Sequence, residues 1–398
     1  MESNSNSKLD FSDSSILSED LYVSDSILNK DKTVSFITYT LKGKKVPEPL
    51  TRRYRDFDVL RTKLMENWPG FFIPNIPHKQ IIGSKNNEVI EMRIELINRF
   101  WAQITKIDYL FNSEEMKIFL SNSTDLIKLF NNIKPQNYKD LLKKYSEVVV
   151  NYDENFDIEN AKKEQEKFYK IIKENYLRIK TFKQLIVNSR NKYKSIHDNY
   201  ISILDMFNLY EKEIFKDYCN EDKNKFIFNN FKNENINKYI KQVKECSDNP
   251  YDRLLDNISE DYLYTEAMIE AFDSIKELNE KLNKLKKKLN SINVDLTNLQ
   301  NGKKVGIASI FKKKNKEESI NNIMSQKENC ENDISNLVNI IKIVTFNMND
   351  QIKKFKIQSL NDYYKELLKV KEDTEKNGKD FELLWESILD ENEIKSSK

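Results

Sequence analysis

Apolar side chains recur at two different periods along this chain of 398 residues. Between residues 21 and 41 they alternate with polar ones, which predicts antiparallel strands. Three helical patterns follow, over 56–68, over 88–105 and near 113–120. Short strands followed by helices predict an α+β domain, in which a small antiparallel sheet packs against three helices.

From about residue 156 the apolar positions recur every three or four residues over three long segments. A 3.5-residue period is typical of a coiled-coil seam, and helices with such seams must bundle to bury them. The sequence therefore predicts an all-α domain of three long helices. The middle seam consists of Met268, Ala271, Ile275, Leu278, Leu282, Leu285, Leu289, Ile292, Leu296 and Leu299. The third segment has Ile334, Leu337, Ile341, Val344, Met348, Ile352 and Phe355. The first segment has a looser version with Phe168, Ile172, Ile179, Phe182, Ile186, Tyr193, Ile196, Tyr200 and Phe207.

Proline and glycine are unevenly placed, and their placement supports this division. Five of the seven prolines lie between residues 47 and 77. After Gly83 so few residues break helices that the rest of the chain must be mostly helical. These breakers are Pro135, Pro250, Gly302, Gly306 and Gly378.

The residue content argues against several function classes. The sequence has no glycine-rich phosphate loop or nucleophile motif, and its two histidines are far apart, so we expect no enzyme, cofactor or metal site. Three scattered cysteines form neither a zinc pattern nor a disulfide framework. The formal net charge is only +2, and the chain lacks the broad basic stripe that is expected of a nucleic-acid-binding protein. No signal peptide and no apolar run of about 18 residues is found, which favours a cytoplasmic protein.

Two segments carry apolar residues beside lysines, and both leave two interpretations open. In the linker 122–152 an apolar face could lie on a bilayer or dock on a neighbouring domain. The lysine-rich turn near 301–316 could contact an anionic membrane or be a merely basic tip. The linker face consists of Tyr138, Leu141, Leu142 and Tyr145, opposite Lys139, Lys143 and Lys144. The candidate membrane contacts of the turn are Lys303, Lys304, Phe311, Lys312, Lys313 and Lys314.

The stretch 51–57 carries the main candidate chemistry. It places Arg52, Arg53 and Tyr54 at a strand end, just before an amphipathic helix. The planar fork of arginine makes paired, charge-assisted hydrogen bonds to phosphate, and a neighbouring aromatic face can stack on a sugar ring. This stretch therefore predicts a site for a phosphorylated ring.

Two further features follow in a fixed order. A proline-punctuated loop over 69–79 ends on Lys79, and an amphipathic helix over 89–100 has Arg93 near its start. Taken with the preceding arginines and tyrosine, this series resembles the phosphoinositide-binding PX domain over roughly residues 20–121.

The PX resemblance implies a role for each of four residues. Arg53 would hold the 3-phosphate, and Tyr54 would pack on the inositol ring. Lys79 would meet the 1-phosphate, and Arg93 would take the free ring hydroxyls. Arg52 is expected to contact the domain itself or the lipid surface rather than the headgroup.

The helical part adds a second resemblance. The stretches 352–355, 361–364 and 384–389 are similar in order to the last BAR helix of the sorting nexins, and 249–255 is similar to a break in their second helix. The whole chain thus resembles a sorting nexin of the PX-BAR family. The implied domains are a disordered tail 1–19, a PX domain 20–121, a linker 122–152, a BAR domain 153–392 with helices about 154–216, 222–300 and 317–392, and a tail 393–398.

The resemblance also implies a mechanism and partners. A BAR protomer dimerises, with itself or with a related chain, into a six-helix crescent that meets curved anionic membranes. The PX domain would read phosphatidylinositol 3-phosphate, so the protein would be peripheral on early endosomes and act in sorting and tubulation. A retromer-type coat or a cargo is a further implied partner, and nucleic acid is not.

One other function class stays open from the residues alone. A structural coiled-coil tether or cytoskeletal linker could use the front domain for protein contact. Such a rod would show continuous heptads, whereas the breaks near Pro250 and Gly302 divide the helices into lengths that fold back as a bundle. This division favours the BAR interpretation.

Overall fold

The fold is taken from a computed structural model of the chain, which divides into two compact units. The first unit contains Met1–Tyr176 and Leu263–Phe355, and the second contains Leu177–Tyr262 and Lys356–Lys398. The residues that the structure describes are 19–30, 35–79, 87–123, 125–153, 155–210, 213, 249–300 and 316–396. The lysine-rich turn and the N-terminal tail 1–18 lie outside these residues.

The first unit begins with an antiparallel sheet of three strands in the order β1-β2-β3. The strands are β1 (Tyr22–Lys30), β2 (Ser35–Gly43) and β3 (Val46–Arg53). Gly43 ends β2 just before the turn into β3, and its φ of 145° is a backbone conformation that favours glycine. A Cβ atom at this position would also strike the backbone of Asp20. The predicted sheet is thus confirmed.

Four helices follow this sheet, where three were predicted. They are α1 (Tyr54–Asn67), α2 (Asn87–Ile104), α3 (Asp108–Phe111) and α4 (Glu114–Phe119). Phe57 of α1 is fully buried, with its ring centroid 5.3 Å from that of Phe119 and 5.8 Å from that of Trp101. The one-turn helix α3 was not predicted, because a segment of four residues carries too little periodicity to read. We call residues 21–120 the sheet domain.

The linker after the sheet domain contains α5 (Leu126–Asn131) and α6 (Tyr138–Val148). In α6, Leu141 and Tyr145 are buried, and the Tyr145 ring lies 4.4 Å from that of Phe71 between centroids. The Tyr145 hydroxyl donates to the carbonyl oxygen of Pro69 at 2.8 Å. These contacts confirm the docking interpretation of the linker face and leave little of it for a bilayer.

Lys144 strengthens this docking with a polar contact. Its ammonium group lies 3.5 Å from the ring centroid of Trp68 and donates to the carbonyl oxygen of Asn67 at 2.9 Å. Burial lowers the pKa of Lys144 to about 8, although nearby acidic groups oppose the shift. The lysine therefore belongs to the interface and not to a solvated basic face.

Three long helices follow, and the described parts of all three enter the first unit. They are α7 (Ile158–Tyr210), α8 (Pro250–Gln300) and α9 (Lys316–Ser396). One hydrophobic core joins them to the sheet domain, since the same buried cluster contains Phe57, Phe168, Met268 and Val344. The predicted seams of α8 and α9 are confirmed by their burial: Met268, Ala271, Ile275, Leu278, Leu282 and Ile292 in α8, and Leu337, Ile341, Val344, Met348 and Ile352 in α9.

The second unit contains the remaining stretches of the same three helices. Arg190 forms an ion pair with Asp252, and the Trp385 indole donates to the hydroxyl of Tyr200 at 3.1 Å. Here the predicted seam of α7 is partly wrong, since Ile196 is 60% and Phe207 50% exposed. None of the helices described is long and apolar enough to cross a membrane.

Candidate functional site

The candidate site begins where β3 gives way to α1. β3 ends at Arg53 and α1 starts at Tyr54, so the predicted strand-to-helix junction is present and the helix begins two residues before its predicted start. The backbone N–H of Arg53 donates to the Asp56 carboxylate at 2.8 Å, a contact that satisfies a free donor at the helix start. Because an acid is also favoured in the first turn of a helix, this junction is well defined.

Arg53 is exposed and lies over an aromatic platform. Its guanidinium carbon is 3.5 Å from the ring centroid of Phe36. The sheet register pairs Arg53 with Thr38, and Phe36 lies two residues along the same strand, so both β2 side chains share the face of Arg53. Stacking engages the flat face of the guanidinium group, whereas its N–H groups point outward in the plane, where a phosphate can accept from them.

Tyr54 connects the helix start to the proline-punctuated loop. Its hydroxyl donates to the carbonyl oxygen of Pro77 at 2.5 Å. Burial raises the pKa of Tyr54 to about 12, and the nearby Asp58 adds to the shift while Arg93 opposes it. The hydroxyl therefore stays protonated at neutral pH, and the ring edge is fixed against the loop.

Arg93 lies on α2 behind this ring. It is only 7% exposed, donates to the Tyr39 hydroxyl at 3.2 Å, and has its guanidinium carbon 5.2 Å from the Tyr54 ring centroid. Asn98 fixes α2 on the sheet, since its side-chain amide accepts from the Val23 N–H at 2.7 Å and donates to the Val23 carbonyl at 3.2 Å. These contacts fix α2 on the sheet and thereby hold Arg93 beside the Tyr54 ring.

Lys79 is exposed and follows Pro77 by two residues. The structure therefore gathers Arg53, Tyr54 and Arg93 at one end of the sheet and fastens the chain just before Lys79 to the same tyrosine. Residues 80–86 lie outside the described residues, as do all six lysine-turn candidates of 303–314. The roles of the four pocket residues in binding stay predictions.

Arg52 has a different environment from its neighbour. Its side chain is buried, donating to the carbonyl of Phe119 at 2.7 Å and 3.0 Å and also to the carbonyl of Ser121. Burial lowers the pKa of Arg52, and Asp56 opposes that shift. This arginine joins β3 to the end of α4 and is not available to a headgroup.

The sequence did not predict that Phe36 and Tyr39 contact the candidate site. Both act through contacts with residues far along the chain, Phe36 beneath Arg53 and Tyr39 beside Arg93. The alternation in β2 predicts a strand but not its register with β3, so it could not place either ring in the pocket.

Comparisons with known proteins identify the domain that carries these residues. A family model described as the PX domain matches residues 42–123. Sorting nexin-30 of Homo sapiens is 34% identical over 98 residues, which are 22% of this chain and 22% of that protein. Vacuolar protein sorting-associated protein vps5 of Schizosaccharomyces pombe is 32% identical over 101 residues, 24% of this chain and 18% of that protein. The match thus spans about a fifth of the length of these relatives.

Among solved structures, the cryo-EM structure of the SNX-BAR Mvp1 tetramer is similar, with a TM-score of 0.49 and 15% sequence identity over 93% of this chain and 99% of that chain. The class of protein follows from the matched region and its fold: the chain carries a PX domain at its front, followed by three long helices. The predicted PX domain is confirmed by this match, and the relatives include sorting nexins; the assignment of the three long helices to a BAR domain stays a prediction.

Proposed function

We propose that this protein binds phosphatidylinositol 3-phosphate and associates with curved anionic membranes, acting in endosomal sorting and tubulation. The observation that carries the proposal is the cluster of Arg53, Tyr54 and Arg93 at the sheet end, with the chain leading to Lys79 fastened to the same tyrosine. This cluster joins cations of suitable geometry to an aromatic ring.

The chemistry of the four residues suits a phosphorylated inositol. Arg53 offers an exposed planar fork for a bidentate phosphate contact, and Lys79 offers an exposed ammonium group for a second phosphate. Arg93 has more N–H donors than its bond to Tyr39 uses, and donors of this kind suit ring hydroxyls. The Tyr54 ring supplies the apolar face on which the ring of the ligand would pack.

The long helices supply the second half of the proposal. Exposed apolar residues of α7 lie at spacings of 8, 11, 7 and 4, which all fall on one side of a helix. An exposed apolar stripe of this kind marks an interaction surface, and we assign it to dimerisation with a second copy or a related chain. We call it the α7 stripe; it consists of Leu177, Leu185, Ile196, Ile203 and Phe207.

Membrane attachment would then combine two weak contacts. The pocket reads one headgroup, and the dimer reads charge and curvature over a wider surface, so that linked affinities multiply. On sequence alone, Lys303, Lys304 and Lys312–Lys314 with Phe311 enter this proposal as contacts to anionic lipid. We place the protein at the cytoplasmic face of early endosomes, with a retromer-type coat or cargo as its protein partner.

The pocket is tested by a matched pair of variants in the full chain. Arg53→Ala removes charge-assisted hydrogen bonds worth about 1.5–3 kcal/mol each, so the affinity for a soluble short-chain phosphatidylinositol 3-phosphate should fall at least about tenfold. Arg55→Ala removes the same charge from a neighbouring exposed position and should bind nearly as the unsubstituted chain does. Isothermal titration calorimetry measures both, and equal affinities for the two variants would contradict the assignment of the pocket.

A further inference from the structure

Helix α8 contacts the proline-punctuated loop through polar side chains. Glu266, Glu270 and Ser274 are four residues apart and therefore share one face of α8. Ser274 accepts from the backbone N–H of Gly70 at 2.9 Å. Glu270 pairs with Arg61, which itself donates to the carbonyl of Pro74 at 3.0 Å. All of these residues belong to the first unit.

Glu266 is the member of this face that contacts His78, the residue just before Lys79. Its Oε2 atom accepts from the Asn75 amide and lies 2.9 Å from the His78 Nε2 atom, while its Oε1 atom accepts from the Tyr176 hydroxyl at 2.7 Å. The side chain is 19% exposed. Burial raises the pKa of Glu266, but hydrogen bonds from His78 and Tyr176 outweigh it and the net shift is downward. The group is therefore a carboxylate at neutral pH with both oxygens engaged.

The chain that leads to Lys79 is consequently held on two sides. Tyr54 binds the carbonyl of Pro77 from the pocket, and Glu266 binds the side chain of His78 from the long helix. Lys79 is the next residue. A side chain carried by an ordered backbone loses less freedom when it binds a ligand, so such a contact is stronger than the same contact made from a free loop.

We propose that Glu266 is a positioning residue for headgroup recognition, acting through Lys79. The proposal rests on the proposed function and deepens it: the lipid site is completed by a residue of the long helix, so the sheet domain does not read the headgroup alone. Glu266 is thus part of the specificity of the pocket, although it lies about 190 residues further along the chain than Asn75.

A double-mutant cycle with soluble short-chain phosphatidylinositol 3-phosphate tests this. Glu266→Ala should lower the affinity of the full chain by about tenfold, comparable to the loss of one charge-assisted contact. Combined with Lys79→Ala, it should lower the affinity hardly further than Lys79→Ala does, because the two residues act on one contact. Glu266→Gln keeps the volume and one acceptor and should fall in between. Circular dichroism melting establishes that each variant is folded.

Glu270→Ala is the control, because it removes an acid from the same face and the same interface without touching Asn75 or His78. It should leave the affinity close to that of the unsubstituted chain. Wild-type affinity in Glu266→Ala and Glu266→Gln, or losses that simply add to that of Lys79→Ala, would overturn this proposal while the pocket stands. No binding by the unsubstituted chain would overturn the proposed function and this proposal with it.

Discussion

Successive side chains of a strand point to opposite faces of a sheet, so Arg52 and Arg53 at the end of β3 have different surroundings. Arg52 is buried against the carbonyls of Phe119 and Ser121, whereas Arg53 is exposed over the ring of Phe36. Two identical and adjacent residues therefore serve different purposes. Arg52 holds the domain together, and Arg53 is the one that we propose for recognition.

This difference gives a prediction at the residue scale. Arg52→Ala removes the donors to the carbonyls of Phe119 and Ser121 and should lower the free energy of unfolding by about 2–3 kcal/mol. The affinity of the folded fraction for the headgroup should change little. Urea unfolding together with calorimetry at low temperature measures both quantities, and a variant that keeps full stability but loses binding would reverse the assignments of the two arginines.

The sequence predicted the candidate pocket residues better than the residues that hold them in place. Arg53, Tyr54 and Arg93 could be proposed because a familiar order of residues carries them. Glu266 could not, because its contacts with Asn75 and His78 join elements that are distant in the chain. The one local signal was the spacing of polar Glu266, Glu270 and Ser274 beside small Ala267 and Ala271 on α8, which allows another segment to approach closely.

Among the elements, α7 departs most from its prediction. A helical period shows that apolar residues share a face but not which partner covers that face. Phe168, Ile172 and Ile186 are buried within the single chain, whereas Ile196 and Phe207 are exposed. A second molecule would cover the exposed ones, and no pattern within one sequence distinguishes the two cases.

The α7 stripe gives the prediction at the scale of the element. Charged side chains at Ile196 and Ile203 should prevent dimerisation, because burying an unpaired carboxylate is costly. Ile196→Asp with Ile203→Asp should sediment at close to 47.4 kDa, and the unsubstituted chain at about twice that mass. Lys180→Glu, an exposed position of α7 outside the stripe, is the control and should remain dimeric. A monomeric unsubstituted chain would contradict the dimer.

At the scale of the whole molecule, the sheet domain and the long helices share one hydrophobic core within the first unit. Phe72 packs on Tyr264 of α8 at 4.6 Å between ring centroids, and Tyr264 stacks on Phe355 of α9 at 5.1 Å. The headgroup pocket is therefore attached to the helices by packing as well as by the chain. Under the proposed function, headgroup binding at the pocket would therefore also position the attached helices of the first unit.

The central claim is that this protein reads a phosphoinositide headgroup and not charge alone. The most direct measurement is co-sedimentation of the full chain with liposomes containing phosphatidylinositol 3-phosphate, against liposomes in which phosphatidylserine supplies the same charge. We predict selective pelleting with the phosphoinositide. Equal pelleting with both lipids would show that charge alone drives binding and would contradict the claim, and no pelleting with either would favour a coiled-coil tether.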